Sequence, residues 1–288
     1  MMKHKDFAVF ILSHGRPHNQ ITLRTLKKLH YSGKLYIIID NEDNTADEYF
    51  KLYGSEVIQF DKSKVKVDVM DNFVGRGIVL YARNKAFDIA NDLGLKYFLV
   101  LDDDYDRFNF RKKINGELKN FSLKEIDRVF DTTIDFLEVS NAKTVCFGQS
   151  GDFIGGVSSN LYRQQILRKA MNSFFFKTDN RVEFLGRLNE DVNLYTSYGN
   201  KGDLFLTVRD VSISQVLTQQ NSGGLTEEYL NKGTYVKSFY SVMLCPSFVS
   251  IGILGGSGKK HAYYRIHHNI KSRYGYPKII SDKYKKVG

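Results

Sequence analysis

Residues 96–104 read Lys-Tyr-Phe-Leu-Val-Leu-Asp-Asp-Asp, a nearly unbroken apolar run that ends on three adjacent carboxylates. Such a run predicts a buried β-strand over Lys96–Leu101 whose carboxyl end delivers Asp102, Asp103 and Asp104 to one place. The chain before it repeats the pattern. Phe7–Ser13 is apolar and stops at Ser-His-Gly-Arg-Pro, Lys34–Asp40 carries Leu-Tyr-Ile-Ile-Ile and ends in an acid, and Glu56–Phe60 is a further short strand. Helical spacing lies between them: Asn19 to Leu29 has Ile21, Leu23, Leu26 and Leu29 broadly at helical spacing, and Gly54 breaks a short helix over Thr45–Tyr53. Ile78–Leu93 spaces Ala82, Ala86, Ile89, Ala90 and Leu93 helically and is closed by Gly94. Apolar strands alternating with helices predict an α/β fold, a Rossmann-like, mostly parallel sheet flanked by helices. In such sheets ligands bind outside the carboxyl ends of the strands. Ser13-His14-Gly15-Arg16, Asp40-Asn41 and the acid triplet all fall at those ends.

Beyond Asp104 the rhythm changes. Ser122 to Val139 reads as an amphipathic helix, with Ser122 as N-cap and Glu125 completing a capping box. Thr144–Phe147 is a strand, and glycines follow from Gly148 to Gly156. Asn189-Glu190-Asp191 opens a short helix through Tyr198, and Leu204–Ile213 is strand-like. No internal repeat or low-complexity linker interrupts the chain. One domain over 1–288 is expected, with a nucleotide-binding half (1–104) and an acceptor half (105–288).

Composition narrows the class. The chain has 288 residues with 42% hydrophobic side chains, enough for a real core. No apolar run approaches the roughly 20 residues that span a bilayer, so neither a signal peptide nor a membrane anchor is expected. The two cysteines, Cys146 and Cys245, lie far apart in apolar settings; two buried reduced thiols and a cytoplasmic location are the expectation. The formal net charge is +10, with Lys259, Lys260, Arg265, Lys271, Arg273, Lys278, Lys283, Lys285 and Lys286 crowding the C-terminal region among several tyrosines. A basic surface with aromatic rings suits a nucleic-acid backbone and its bases, and it equally suits a solvated basic face.

Three adjacent carboxylates are costly unless a cation compensates them or water screens them. Mg²⁺ or Mn²⁺ binds one or two carboxylates together with diphosphate oxygens and neutralises a departing diphosphate. A solvated acidic turn is the alternative.

Leu101-Asp102-Asp103-Asp104 after a strand resembles the aspartate-any-aspartate signature of GT-A-fold glycosyltransferases, which use a nucleoside diphosphate sugar and a divalent metal. The opening Ser-His-Gly-Arg-Pro, Asp40-Asn41-Glu42-Asp43, Asp71-Asn72-Phe73 with Arg76-Gly77, Asp102-Asp103-Asp104-Tyr105, Asn189-Glu190-Asp191-Val192 and Ile266-His267-His268 together resemble the phage-borne TET/JBP-associated glycosyltransferases. That likeness covers almost the whole chain. It implies transfer of a sugar onto hydroxymethylated pyrimidines in DNA, in the cytoplasm of a bacteriophage's host. It also implies roles for residues. Asp40 resembles the acid that meets the nucleotide base, and Arg83-Asn84 resembles the Arg-Asn pair near the donor nucleotide. Asp102 and Asp103 fall in the signature that faces donor, and Asp104, with Asp102, resembles the metal-binding part; Asp103, between them, is expected to point differently and to orient its neighbours. Asp191 in the Glu190-Asp191 pair resembles the catalytic base, and His267 or His268 resembles a late metal ligand.

The residues themselves leave alternatives open. Asp40 reads equally as a cap for the next helix, and Arg83 as a surface arginine. Arg83 placed at a cleft edge would grip a diphosphate with two hydrogen bonds. Ser13, His14 and Arg16 occupy the loop after the first strand, where nucleotides are met, and Arg76 lies just ahead of the Arg83 helix. Asp191 could deprotonate an acceptor hydroxyl, yet Glu190 and Asp191 also suit a helix start favoured by the dipole. The rival functions are transfer to a surface glycan, nucleotidyl transfer to a sugar phosphate, and DNA binding without catalysis.

Overall fold

The computed structural model describes residues 1–67, 78–215 and 238–251. The chain forms two compact units. The first comprises 1–66, 81–182 and 204–220, and the second 67–80, 183–203 and 221–288.

The first unit begins as the alternation predicts: β1 (Phe7–Leu12), α1 (Ile21–Lys28), β2 (Lys34–Asp40), α2 (Ala46–Tyr53), β3 (Val57–Phe60), α3 (Leu80–Asp92) and β4 (Tyr97–Asp102). Then come β5 (Tyr105–Ile114), β6 (Glu117–Ser122), α4 (Ile126–Ser140), β7 (Thr144–Gln149), α5 (Asn160–Gln164), β8 (Ile166–Leu167), β9 (Phe174–Lys177) and β10 (Phe205–Gln215). The strands form one sheet in the order β3-β2-β1-β4-β9-β7-β10-β5-β6, with β8 pairing β10. Strands β3, β2, β1 and β4 run parallel. They are apolar because both faces are covered: every residue of β1 is buried, as are Tyr97 to Leu101 of β4. This parallel α/β core is the one expected from the sequence.

The other half of the sheet contains strands the apolar pattern does not announce. Short β9 inserts antiparallel between β4 and β7. Its Phe175 stacks on Phe7 and meets Phe130 and Phe147 edge-on, forming the centre of the core beneath α4. Burying each such ring contributes about 2–3 kcal/mol. Strands β5 and β6 form a hairpin closed at Asn115-Gly116, both at positive φ (50° and 83°). That conformation suits a two-residue turn and is why glycine stands second.

The capping box expected at Ser122 does not form. Ser122 is consumed by β6, where it pairs with Asn109, and α4 starts four residues later at Ile126. Pairing with β5 satisfies the backbone before any helix cap is needed.

The described part of the second unit contains α6 (Glu190–Gly199) and a helical stretch over 238–244. Asn193 joins them: its amide donates to the carbonyls of Leu185 and Leu188, and its oxygen accepts from Ser241 Oγ at 2.7 Å. Gly186, at φ 78°, sits where an added Cβ would lie 2.7 Å from that amide. Both cysteines are free and buried. No helix among the described residues is long and apolar enough to cross a membrane.

Candidate active site

The register of the parallel strands gathers the polar clusters. Leu12 lies beside Ile38 of β2 and Asp102 of β4, so Ser13, Asp40 and Asp102–Asp104 emerge at one edge of three neighbouring strands. The order 2-1-4 places a strand on each side of β1, the arrangement in which crossovers diverge and leave a crevice.

The triplet separates into different roles. Asp103 turns inward. Its Oδ2 accepts from Ser13 Oγ at 2.6 Å and its Oδ1 from Arg16 Nη1 at 3.0 Å. A relay supports this pair: the Arg16 amide donates to the Tyr49 hydroxyl (2.9 Å), which lies 2.7 Å from Ser13 Oγ. With Ser13 donating to Asp103, the Tyr49 proton points to Ser13. Burial pushes the Tyr49 phenol up to about 12, and it raises Asp103 despite the bonds from Ser13 and Arg16. Ser13, Arg16 and Asp103, all assigned to donor contact by their positions in sequence, are thus bonded to one another and brace the loop after β1.

Asp102 is a third exposed. Its Oδ1 lies 3.4 Å from Arg83 Nη2 and its Oδ2 3.1 Å from the Tyr105 hydroxyl. That hydroxyl also reaches the Asn172 carbonyl at 2.9 Å, so its single proton serves one acceptor at a time. Arg83 is 3% exposed, with its guanidinium 5.0 Å over the Phe174 ring. It is therefore no surface arginine: it is buried on α3 with its guanidinium beside Asp102. Asn84 is buried as well, and its carbonyl accepts from Arg181.

Asp104 has no ion pair among the described residues. Burial first, and then repulsion from Asp102 and Asp103, pushes its carboxyl up to about 7. Among the described residues no three His, Cys, Asp or Glu side chains form a complete metal cage. His267, His268 and Arg76 lie outside the described residues.

Asp40 does not cap α2, whose N-cap is Thr45. Instead its Oδ1 meets Lys62 Nζ at 2.9 Å and its Oδ2 meets His14 Nδ1 at 2.9 Å. Burial opposes the charge on Asp40, but the bonds from His14 and Lys62 outweigh it and hold the carboxyl at about 2. The Asp40 bond in turn raises His14 against the effect of burial. His14 is half-exposed, and with Nδ1 on Asp40 its Nε2 is the nitrogen available to a ligand. Asp43 binds the Gly15 amide at 2.7 Å and fixes the loop from the other side.

Lys62 is the residue sequence reasoning missed. In Asp61-Lys62-Ser63-Lys64 it reads as a surface turn, yet it is 2% exposed. Nothing local announces this, because the partners of its ammonium are distant in sequence: Asp40 at the end of β2, Glu42 just after it, and the Tyr81 ring 5.6 Å from Nζ. Lys62→Ala leaves Asp40 with only His14 and the Glu42 amide as partners and is expected to lower stability by about 1–3 kcal/mol, read as a lower midpoint in urea unfolding at unchanged slope. An unchanged midpoint would show that Asp40 does not need Lys62.

In the second unit, Glu190 and Asp191 are both buried at the start of α6. Asp191 Oδ1 accepts from the Val192 amide at 2.7 Å, and its other oxygen makes no hydrogen bond among the described residues. Asn189 precedes them at φ 56°, a left-handed conformation that turns the chain sharply into the helix.

Among solved structures the chain is similar to the mannose-1-phosphate geranyltransferase of Thermus thermophilus, at 10% identity over 70% of this chain and 73% of that one, with a TM-score of 0.36. A likeness that distant carries no argument about function. No curated protein matches the chain. A family model described as TET-Associated Glycosyltransferase matches residues 7–224, from β1 to beyond β10. The chain therefore belongs to the TET-associated glycosyltransferase family and is a glycosyltransferase.

Proposed function

We propose that this glycosyltransferase moves a sugar from a nucleoside diphosphate sugar onto the hydroxyl of a hydroxymethylated pyrimidine in DNA, with Mg²⁺ or Mn²⁺ bound at the acid triplet. The observation that carries the donor half of this reading is Asp104, a carboxylate raised to about 7 beside Asp102 with no cation of its own among the described residues. Asp102 and Asp104 suit a hard divalent cation, which takes one or two carboxylates and fills its remaining positions with phosphate oxygens and water. When bound, the cation would neutralise charge that develops on the leaving diphosphate.

The chain's own residues do the rest. Arg83 and the Tyr105 hydroxyl fix the Asp102 carboxylate from two sides. Ser13, Arg16 and Asp103 hold the loop after β1 rigid, and His14, held through Nδ1 by Asp40, keeps Nε2 for a hydrogen bond to the donor. Asp191, with one oxygen anchored on the helix start, is assigned the removal of the acceptor hydroxyl proton as the hydroxyl attacks the anomeric carbon. A single displacement of this kind inverts that centre. The acceptor rests on the family resemblance and on the net charge of +10, which favours a polyanion.

The test is incubation of the full chain with hydroxymethylated and unmodified DNA, a panel of nucleotide sugars and Mn²⁺, followed by nucleoside mass spectrometry. A hexose-sized mass gain on hydroxymethylated nucleosides alone is expected. Transfer to glycans with no modified nucleoside would overturn the DNA acceptor and leave the donor chemistry standing.

A further inference from the structure

The β5–β6 hairpin leaves the acid triplet directly, since β5 begins at Tyr105, and it forms the outer edge of the sheet. One of its faces is unusual. Phe108 on β5 is buried in the core, but the next residue on that face, Phe110, is 39% exposed, and its cross-strand partner Phe121 is 45% exposed. One step further along, Lys112 stands opposite Lys119, and Ile114 near the tip is also exposed. Neither phenylalanine contacts another ring among the described residues, and Lys112 and Lys113 have no ion pair there, whereas Lys119 pairs with Glu117.

Two of these features oppose stability in isolation. Like charges directly opposite on a sheet repel, with Glu117 compensating Lys119 and Lys112 left without an ion pair among the described residues, and exposed aromatic rings lose their burial energy. Lysines on an edge strand do discourage pairing with another chain, which accounts for Lys112 and Lys119. That does not account for two outward phenylalanines between them and the core. A partner that supplies negative charge and flat apolar faces together resolves both costs. A nucleic-acid strand with unstacked bases does so: phosphates meet the lysines and bases stack on the rings. On this face Lys112 and Lys119 stand with Glu117 alone, a net positive charge, while Arg107, Arg111 and Lys113 alternate onto the opposite face of β5, where Arg111 lies over the Phe153 ring.

We infer that the Phe110–Phe121 and Lys112–Lys119 face of the β5–β6 hairpin is a docking track for single-stranded DNA leading to the acid triplet. The inference rests on the DNA reading of the acceptor. At about 3.4 Å per residue along β5, Phe110 lies roughly 20 Å from Asp104 measured along the strand, a span of several nucleotides.

The test measures fluorescence anisotropy of labelled, unmodified single-stranded and duplex oligonucleotides binding to the full chain across a salt series. Lys112→Glu/Lys119→Glu is expected to weaken binding at least tenfold at low salt and to flatten the salt dependence of log affinity by about 0.7 per lost phosphate contact on a single strand. Phe110→Ala/Phe121→Ala is expected to weaken single-strand binding about tenfold or more and duplex binding less, while Phe110→Tyr/Phe121→Tyr restores it. All the side chains are exposed, so thermal unfolding identifies any variant that fails for lack of folding, and the tyrosine pair then decides. If the wild-type chain binds DNA and both double variants bind equally well, the track is wrong and the DNA acceptor stands. Failure of the wild-type chain to bind any DNA defeats both. Loss of self-association in sedimentation, with DNA affinity unchanged, would assign the face to a second copy of the chain.

Discussion

Asp104→Asn is expected to lower sugar transfer by about a thousandfold or more, because it removes an anionic ligand where diphosphate charge must be neutralised. The fold should survive, and the metal-free variant should be more stable than the metal-free wild type above pH 7. The sign follows from the direction of the shift. Burial and the neighbouring acids raise the Asp104 carboxyl from 3.8 to about 7 in the folded chain, so folding takes up a proton between those values. Wild-type stability is then fully retained below about pH 4, declines as pH rises towards 7, and stays reduced above it. Asparagine carries no such dependence. Thermal unfolding of both proteins from pH 5 to pH 8 in a chelator checks this: their midpoints should diverge with rising pH. Full turnover in Asp104→Asn, or midpoints that converge as pH rises, would show that Asp104 is an ordinary solvated acid.

Asp191→Asn is expected to reduce kcat by about 10²–10⁴-fold with little change in KM for the donor. Asparagine keeps an oxygen to accept the Val192 amide, so the start of α6 is preserved while the base is lost. A kcat loss that shrinks at high pH, where hydroxide can take the proton instead, marks proton removal, and one that persists there marks positioning. Glu190→Gln is the comparison: it sits in the same turn of the same buried helix start. Equal losses in the two variants would mean that the Glu-Asp pair builds the helix rather than taking the proton.

The parts of the molecule readable from sequence are those where local pattern and tertiary burial coincide. β1, β2 and β4 are apolar because they are covered on both faces, and the acids at their ends are conspicuous against that background. The same logic hides the hairpin. Asn115-Gly116 is a turn signal, but Arg107, Lys112 and Lys113 dilute the apolar alternation of β5, since much of that strand faces solvent. β9 is four residues long and gains its meaning from insertion between β4 and β7, a long-range pairing with no local signature. Within the site, the positions of Ser13, Asp40 and Asp102 at a common edge were legible from strand order alone. Their partners were not. Lys62 beneath Asp40, Tyr49 beneath Ser13, and Arg16 as the partner of an Asp103 expected to point away from its neighbours all depend on which elements pack together. Ser122 failed as a cap for the same reason: a strand partner claimed its backbone first.

The most direct test of the central claim, that the triplet edge holds a divalent cation with the donor's diphosphate, is electron paramagnetic resonance of Mn²⁺ titrated with the full chain and a nucleoside diphosphate. The free-ion signal should fall for the wild type, more steeply with the nucleotide present, and should remain for Asp102→Asn/Asp104→Asn. Equal loss of signal in the wild type and the double variant would contradict a cation site at Asp102 and Asp104.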